Sequence, residues 1–564
     1  MSQEKIIRPI LSFFSSDSKQ SYKIGFFILL ILMASSIALM LTVGFPLIRS
    51  APWDIIIQLD VAWRIIHGQK LNVDFAPFIP SLTALIDSFG MRLTGAKALS
   101  ILYGNIILFI VLTPWAWKIA RNRLSALNAF LFSIFIGSLL IAPRSLASIS
   151  PDFTGYAMLY NRQGYVLLSM LLIELLILPR KEQRINSLRS GVTTGTLMAL
   201  LIFSKLTFFA VGVSALIISC LFSQKPIKWF ISLIVSFGLS IALMNICFGL
   251  NVFAYIGEMN SIAADYVSDH SGYGFFYYIV AENFGYLYTC LASLLILSLE
   301  YWRTQEKNAR LNEILSLLSI ILITISSIFL CIFSAQDTEI PLFFVAGLIF
   351  LNYFCGRFKS IEYPLDTRGL FTYFLGIVII IPILFGNIFF QDASSIISAF
   401  ILDKPNPSKL AQSQKFNSKS MADFFIPDYQ MTNTISTRYN IGNPSLYPIK
   451  VNDGLELLRK HISKDSRIAT VDFSNPFPFA LELPPPEGGT SYMAPVPSSV
   501  NNNHHFQFEP EKIFKGANMV MIAKDSDNYK AVDRLIKYYD KYLEQNFTLV
   551  DSSKFWDLLK RKNS

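Results

Sequence analysis

The stretch Asp60-Val-Ala-Trp-Arg-Ile-Ile-His-Gly-Gln-Lys-Leu-Asn-Val-Asp74-Phe-Ala-Pro77 follows the first long apolar run of the chain, residues 24–48. If that run crosses a membrane, Asp60 lies at the membrane surface on the side opposite the N-terminus. A carboxylate there is expected to be hydrated and reactive without the cost of burial in hydrocarbon. Pro52-Trp53-Asp54 caps a helix-like segment that sets Asp60 and Arg64 four apart, on one face. Gly68-Gln69 breaks it, and Asp74-Phe-Ala-Pro-Phe-Ile-Pro80 leads into a second amphipathic segment, 81–93.

Working outward, the 564 residues are 52% hydrophobic and 15% charged, with a mean hydropathy of +0.45. Soluble domains carry about a quarter charged residues, so most of this chain is read as dissolved in lipid. The net charge of +9 reflects basic residues held in cytoplasmic loops rather than a nucleic-acid partner. The five cysteines, Cys220, Cys247, Cys290, Cys331 and Cys355, all lie in or beside apolar runs. They offer no disulfide framework and no Cys-x-x-Cys pair. The polar segment 1–23 precedes a run too long for a cleaved signal, and Gly44-Phe-Pro-Leu-Ile-Arg49 is no cleavage site.

Apolar runs able to span about 30 Å of hydrocarbon fall at 24–48, 98–117, 125–142, 164–178, 190–204, 206–222, 229–249, 282–299, 313–333, 339–355 and 369–389. The expected fold is therefore an α-helical polytopic membrane protein of about 11 spans. With residues 1–23 inside, the inner loops hold 19 Lys and Arg and the outer segments 8. That bias sets an inside N-terminus and an outside C-terminus. The membrane part is 24–389, with 49–97 as its exported first loop. The carboxylates Asp54, Asp60, Asp74, Asp87, Asp152, Glu258, Asp265, Asp269, Asp337 and Glu339 fall on or at the outer side.

Residues 390–564 are polar and rich in Pro, Asn and Ser, and are read as an extracytoplasmic small α/β domain. Segment 392–450 reads as irregular connection with short elements. Beyond it come a helix at Asp453–His461, strands at Arg467–Phe473, Asn518–Ala523 and Phe547–Asp551, and an amphipathic helix at Asn528–Gln545.

The pattern Asp–x–Ala–Trp–x–x–x–His–Gly–Gln–x–x–x–x–Asp–Phe after a first span resembles the first loop of polytopic GT-C glycosyltransferases. The resemblance covers about residues 1–390. It implies an inner (plasma) membrane enzyme that moves a sugar from a polyprenyl-phosphate carrier to a lipid or glycan acceptor on the outer face. Such enzymes often carry adjacent acids in this loop; here Asp54 and Asp60 stand apart, which leaves the reactive acid and any metal open. The resemblance implies no cofactor beyond a divalent cation, and no metal ligand set is assigned.

A base must take the acceptor hydroxyl proton, and cationic groups must meet the departing phosphate. Asp60 is the first choice for the base and Asp152 the second. The alternative for Asp60 is an ion pair with Arg64 on a solvated helix face. Lys205, interrupting the apolar stretch Leu197–Ile218, is the choice for the phosphate, against a turn lysine snorkelling to the headgroups. The segment Phe203-Ser-Lys-Leu-Thr-Phe208 resembles a Lys-containing turn of these transferases. Arg144 and Arg162 flank Asp152 and stand behind Lys205, with structural ion pairing as their alternative. Asp54, Asp74, Asp269 and His270 complete the substrate-binding set. The loop bearing the last two carries Tyr255, Tyr266, Tyr273, Tyr277 and Tyr278, rings suited to sugar faces or simply to a solvated loop.

In the tail, Asn475-Pro-Phe-Pro-Phe-Ala-Leu-Glu-Leu-Pro-Pro-Pro-Glu-Gly-Gly489 reads as a strand-to-loop turn stiffened by prolines, either lying over the membrane cavity to shape an acceptor site or serving as a structural turn alone. No phosphate-gripping Gly-rich loop or dinucleotide fingerprint is present, which disfavours a soluble nucleotide-sugar donor and ATP drive. Three other readings stand beside transfer: a lipid-linked oligosaccharide polymerase or ligase, a transporter or flippase with charges at mid-membrane, and an assembly scaffold resting on the tail.

Overall fold

The computed structural model describes residues 18–49, 51–77, 79–144, 154–180, 186–259, 284–303, 307–333, 340–358, 387–427, 444–491, 493, 509–524 and 529–562. Asp152, Asp269 and His270 lie outside them.

Helix α1, Lys19–Val43, starts where the Ser18 side chain accepts the Ser21 N–H. It stops at Gly44, whose φ of 77° suits glycine. Pro52 opens α2, Pro52–Ile66, at the position where its missing N–H costs nothing. There follow α3 (Ser81–Thr94), α4 (Ser100–Ala120), α5 (Ala126–Ile141), α6 (Leu159–Leu176), α7 (Ser187–Ser204), α8 (Leu206–Phe222), α9 (Ile227–Phe248), α10 (Phe284–Arg303), α11 (Lys307–Phe333) and α12 (Leu342–Phe358). Each apolar run from 24–48 to 339–355 thus carries a helix; the run at 369–389 lies largely outside the described residues.

Among the described residues, α1, α4, α9 and Ile314–Phe333 within α11 are long and apolar enough to cross a membrane. Helix α9 leaves Ile231, Ile234, Val235, Leu239, Leu243 and Ile246 exposed. An apolar stripe of that extent needs lipid to cover it; this is a membrane protein. Helix α6 is instead buried almost throughout, Arg162 and Gln163 included. Helices α7 and α9 meet through Gly191-Val-Thr-Thr-Gly195. A Cβ at Gly191 would lie 2.0 Å from Ser232 Oγ, and one at Gly195 would lie 2.2 Å from Ser236 Oγ. Small residues one turn apart let the two backbones approach. Glu174, a charge within an apolar run, is held by Arg123 Nε at 3.1 Å.

Helix α13, Asn387–Ile397, continues as a π-helical turn, Ser398–Asp403, so helix runs across residue 390. Asp403 pairs with both Arg49 and Lys409. Burial would raise its carboxyl, but these two cations hold it below the usual range. Short elements do occur within 392–450, as expected. A correction comes at α14, Leu446–Arg459, which begins well before the expected Asp453. Pro448 looks like a break in sequence but sits in the first turn, where proline is tolerated.

Strands β1 (Ser413–Lys415) and β2 (Phe425–Pro427) form an antiparallel pair. The main sheet has the order β3-β4-β6-β5, from Ile468–Val471, Met519–Ala523, Trp556–Arg561 and Phe547–Ser552. Strands β3 and β4 are parallel and the other pairs antiparallel. Alternation along β4 sorts two cores. Met519 and Met521 join α14's Leu455 and Leu458, while Val520 joins Leu535, Tyr539 and Leu543 of helix α15, Tyr529–Asn546. The first of these cores runs on into the membrane part. Trp53 lies 6.2 Å from both the Tyr447 and Phe473 rings, and Trp63 lies 5.9 Å from Phe479. The tail is seated on α2.

Candidate functional site

Helix α2 positions the first set of groups. Asp60 and Arg64 are 0% and 1% exposed, and Arg64 Nε donates to Asp60 Oδ2 at 2.9 Å. The i,i+4 ion pair is present, but its face is not solvated, and the expectation of a hydrated Asp60 is corrected. The reason is the tail, which covers α2. Asp60 Oδ1 has no hydrogen-bond partner among the described residues. Burial raises the Asp60 carboxyl, opposed by the charge and hydrogen bond of Arg64.

Arg64 is gripped on several sides. Its Nη1 donates to Gly488 O at 2.8 Å, and to Pro486 O and Gln69 Oε1 at 3.3 Å. The guanidinium also sits 5.1 Å from the Phe75 ring centre, a cation–π contact. Gln58, two residues before Asp60 on α2, donates through Nε2 to Tyr156 O at 3.0 Å, while its Oε1 lacks a partner among the described residues.

The same segment, 154–163, reaches the second predicted group. Lys205 is the extended link between α7 and α8. Its Nζ donates to Asn161 Oδ1 at 3.3 Å and lies 5.1 Å from the Tyr160 ring centre. Asp60 and Lys205 thus stand on elements that share one backing segment, which begins two residues after Asp152. That segment is fixed at its start to the end of the first span. Arg49 N–H donates to Thr154 O at 2.8 Å, and the Thr154 hydroxyl donates to Leu47 O.

The remaining predicted residues sit elsewhere. Arg162 pairs with Asp392 and donates to Leu139 O at 3.1 Å and Arg144 O at 2.8 Å. Arg144 Nη1 lies 4.0 Å from the same carboxylate. Both arginines are buried and knit α5, α6 and α13 together. Asp74 is exposed and accepts the Lys70 N–H at 2.7 Å, closing the turn after α2. Asp54, in the first turn of α2, is half-buried, and burial pushes its carboxyl up to about 7.

Three groups escape a reading by residue type. Asp392 is one ordinary acid in a polar tail, and Asn161 and Gln58 are neutral amides. A fourth, Asp87 of α3, is fully buried, with both carboxylate oxygens unpartnered among the described residues. Its place in an amphipathic segment beside Ser88 and Thr83 is the available signal. Among the described residues no group of three or more His, Cys, Asp or Glu comes together.

No protein-family model and no curated protein matches this sequence. Among solved structures, the chain is similar to ArnT from Cupriavidus metallidurans bound to undecaprenyl phosphate. The identity is 11% and the TM-score 0.45, over 95% of this chain and 98% of that one. It is also similar to the apo state of that protein, at 11% identity and a TM-score of 0.43, over 94% and 97% of the two chains.

Proposed function

We propose that this chain is a membrane glycosyltransferase that moves a sugar from a polyprenyl-phosphate carrier to a lipid or glycan acceptor on the outer face. The observation that carries the reading is the buried Asp60 carboxylate, one oxygen held by Arg64 and the other without a partner among the described residues. Buried polar atoms are nearly always satisfied, and an acceptor hydroxyl is a donor of the right kind. Burial strengthens the carboxylate as a base, while Arg64 favours its charged form.

In the reaction, Asp60 Oδ1 takes the acceptor O–H proton as that oxygen bonds to the sugar's anomeric carbon. The bond from that carbon to the phosphate oxygen breaks, and the electron pair leaves with the polyprenyl phosphate. Lys205 is the cation assigned to the departing phosphate. Asp152 is the second candidate for the base, and Asp54 lines the approach from the start of α2. In this reading the chain lies in the plasma membrane with about 11 spans, its N-terminus inside and its tail outside.

The test is Asp60→Asn, returned to host cells lacking the gene and scored for surface glycans at equal membrane level. General-base catalysis contributes about 10²- to 10⁴-fold, so glycans should fall below detection. Unchanged glycans overturn the assignment.

A further inference from the structure

The tail reaches the first loop through a strap, residues 483–491, whose contacts are mostly backbone. Trp63 Nε1 donates to Leu483 O at 2.9 Å, and Gln69 Nε2 donates to Pro486 O at 2.7 Å. Ala76 N–H donates to Gly489 O at 3.2 Å, and Ser491 Oγ donates to Pro77 O at 2.6 Å. Arg64 adds its bonds to Pro486 O and Gly488 O.

The strap's own shape is fixed from behind. Pro484-Pro485-Pro486 limits its backbone freedom. Gly489 N–H donates to Lys512 O at 3.0 Å, and Gly489 has a φ of 92°, a conformation that favours glycine. A Cβ on Gly488 would lie 2.2 Å from Lys512 O, so only glycine lets the strap lie this close to the tail domain.

We infer that Arg64 is a positioning residue through which the tail strap sets the orientation of the Asp60 carboxylate. One guanidinium holds Asp60 Oδ2 through Nε and the strap carbonyls through Nη1. A planar fork cannot turn one edge without turning the other. The strap therefore does more than cover α2: it aims the group that holds the acid. This inference rests on the reading of Asp60 as the base.

The experiment uses full-length protein in host cells lacking the gene, with the host's own lipid-linked sugars as donor. Surface glycan formed per unit of inserted protein is followed from about pH 5 to about pH 8. Arg64→Gln removes the cation beside Asp60, so the acid limb should move up by about one pH unit or more. Gly488→Ala keeps both the Arg64 and Asp60 side chains but displaces the strap that aims Arg64, and should move the limb the same way by a smaller amount. Arg64→Lys should recover part of the Arg64→Gln loss.

In the double variant Arg64→Gln/Gly488→Ala, the strap change should add nothing, because its effect passes through Arg64. A Gly488→Ala profile that is lowered without moving, or shifts that add in the double variant, overturns the inference. If Arg64→Gln fails to insert, Gln69→Ala replaces it, since it removes one bond to the strap at Pro486 O and one acceptor of Arg64 Nη1 and should shift the limb in the same direction; no shift overturns the inference. Full activity in Asp60→Asn instead brings down the underlying assignment of the base, and the inference with it.

Discussion

Arg162 on α6 and Asp392 on α13 meet as a fully buried ion pair across 230 residues of sequence. Ser138 Oγ donates to the second oxygen of Asp392 at 3.1 Å, so the carboxylate is held from two helices. Removing one member of such a pair leaves a buried charge alone, at a cost of about 3–5 kcal/mol. Asp392→Ala should therefore lower the unfolding temperature sharply in detergent, and Arg162→Met/Asp392→Leu should recover much of the loss. A double variant as unstable as the single one would show that the pair's charge is not what matters.

The contact between α7 and α9 gives a second test. Gly195→Leu forces a side chain where a Cβ already lies 2.2 Å from Ser236 Oγ. Overpacking of this kind costs about 1–3 kcal/mol or more. The variant should lose its monodisperse peak on size exclusion, while Val192→Leu, at an exposed position of the same helix, should keep it. Equal behaviour of the two variants counts against the packing described.

These two cases mark where sequence reading stops. Hydropathy locates α1 and α4 through α12, because lipid solvation is a property of each run taken alone, while α2 and α3 are read from Pro52 and from amphipathic spacing. The strands at 468–471, 519–523 and 547–552 are legible because turns and alternation are local too. Strand β6, Trp556–Arg561, inserts between β4 and β5, and nothing in its own residues announces those neighbours. The Asp60–Arg64 pair is readable from its spacing, whereas the partners of Arg64 in the strap are carbonyls of Pro486 and Gly488. Backbone acceptors have no sequence signature. The Gly191-Val-Thr-Thr-Gly195 spacing does carry its packing role, and a reading by hydropathy alone passes over it.

Asp54 offers a pH test. Its carboxyl is raised from 3.8 to about 7 by burial, so the folded state binds its proton more tightly than the unfolded chain. The stability it contributes is complete below about pH 4 and is lost as the pH rises to about 7. Asp54→Asn should flatten that fall, leaving the variant more stable than the parent above neutrality by about 1–2 kcal/mol, with partial exposure allowed for. Thermal unfolding across this range checks it; parallel curves for parent and variant would refute it.

Asp87 is the sharper case, because nothing among the described residues answers either of its oxygens. One turn earlier on α3, Thr83 Oγ1 donates to Gln163 Oε1 at 2.6 Å, and Asn105 on α4 leaves its Nδ2 without a partner among the described residues. The described surroundings are polar but supply no cation, and burial alone lifts the Asp87 carboxyl well above the usual range. A raised folded pKa means that stability falls as pH rises through it. Asp87→Asn keeps the shape and cannot ionise, so its advantage over the parent should widen with pH. An unpartnered buried group costs about 1–3 kcal/mol, which sets the scale of the gain at alkaline pH. Unfolding temperatures at about pH 5 and about pH 9 decide the matter: a variant no more stable than the parent at the higher value would mean that the acid is satisfied. Should the variant be more stable yet poorer in surface glycan, Asp87 trades stability for function.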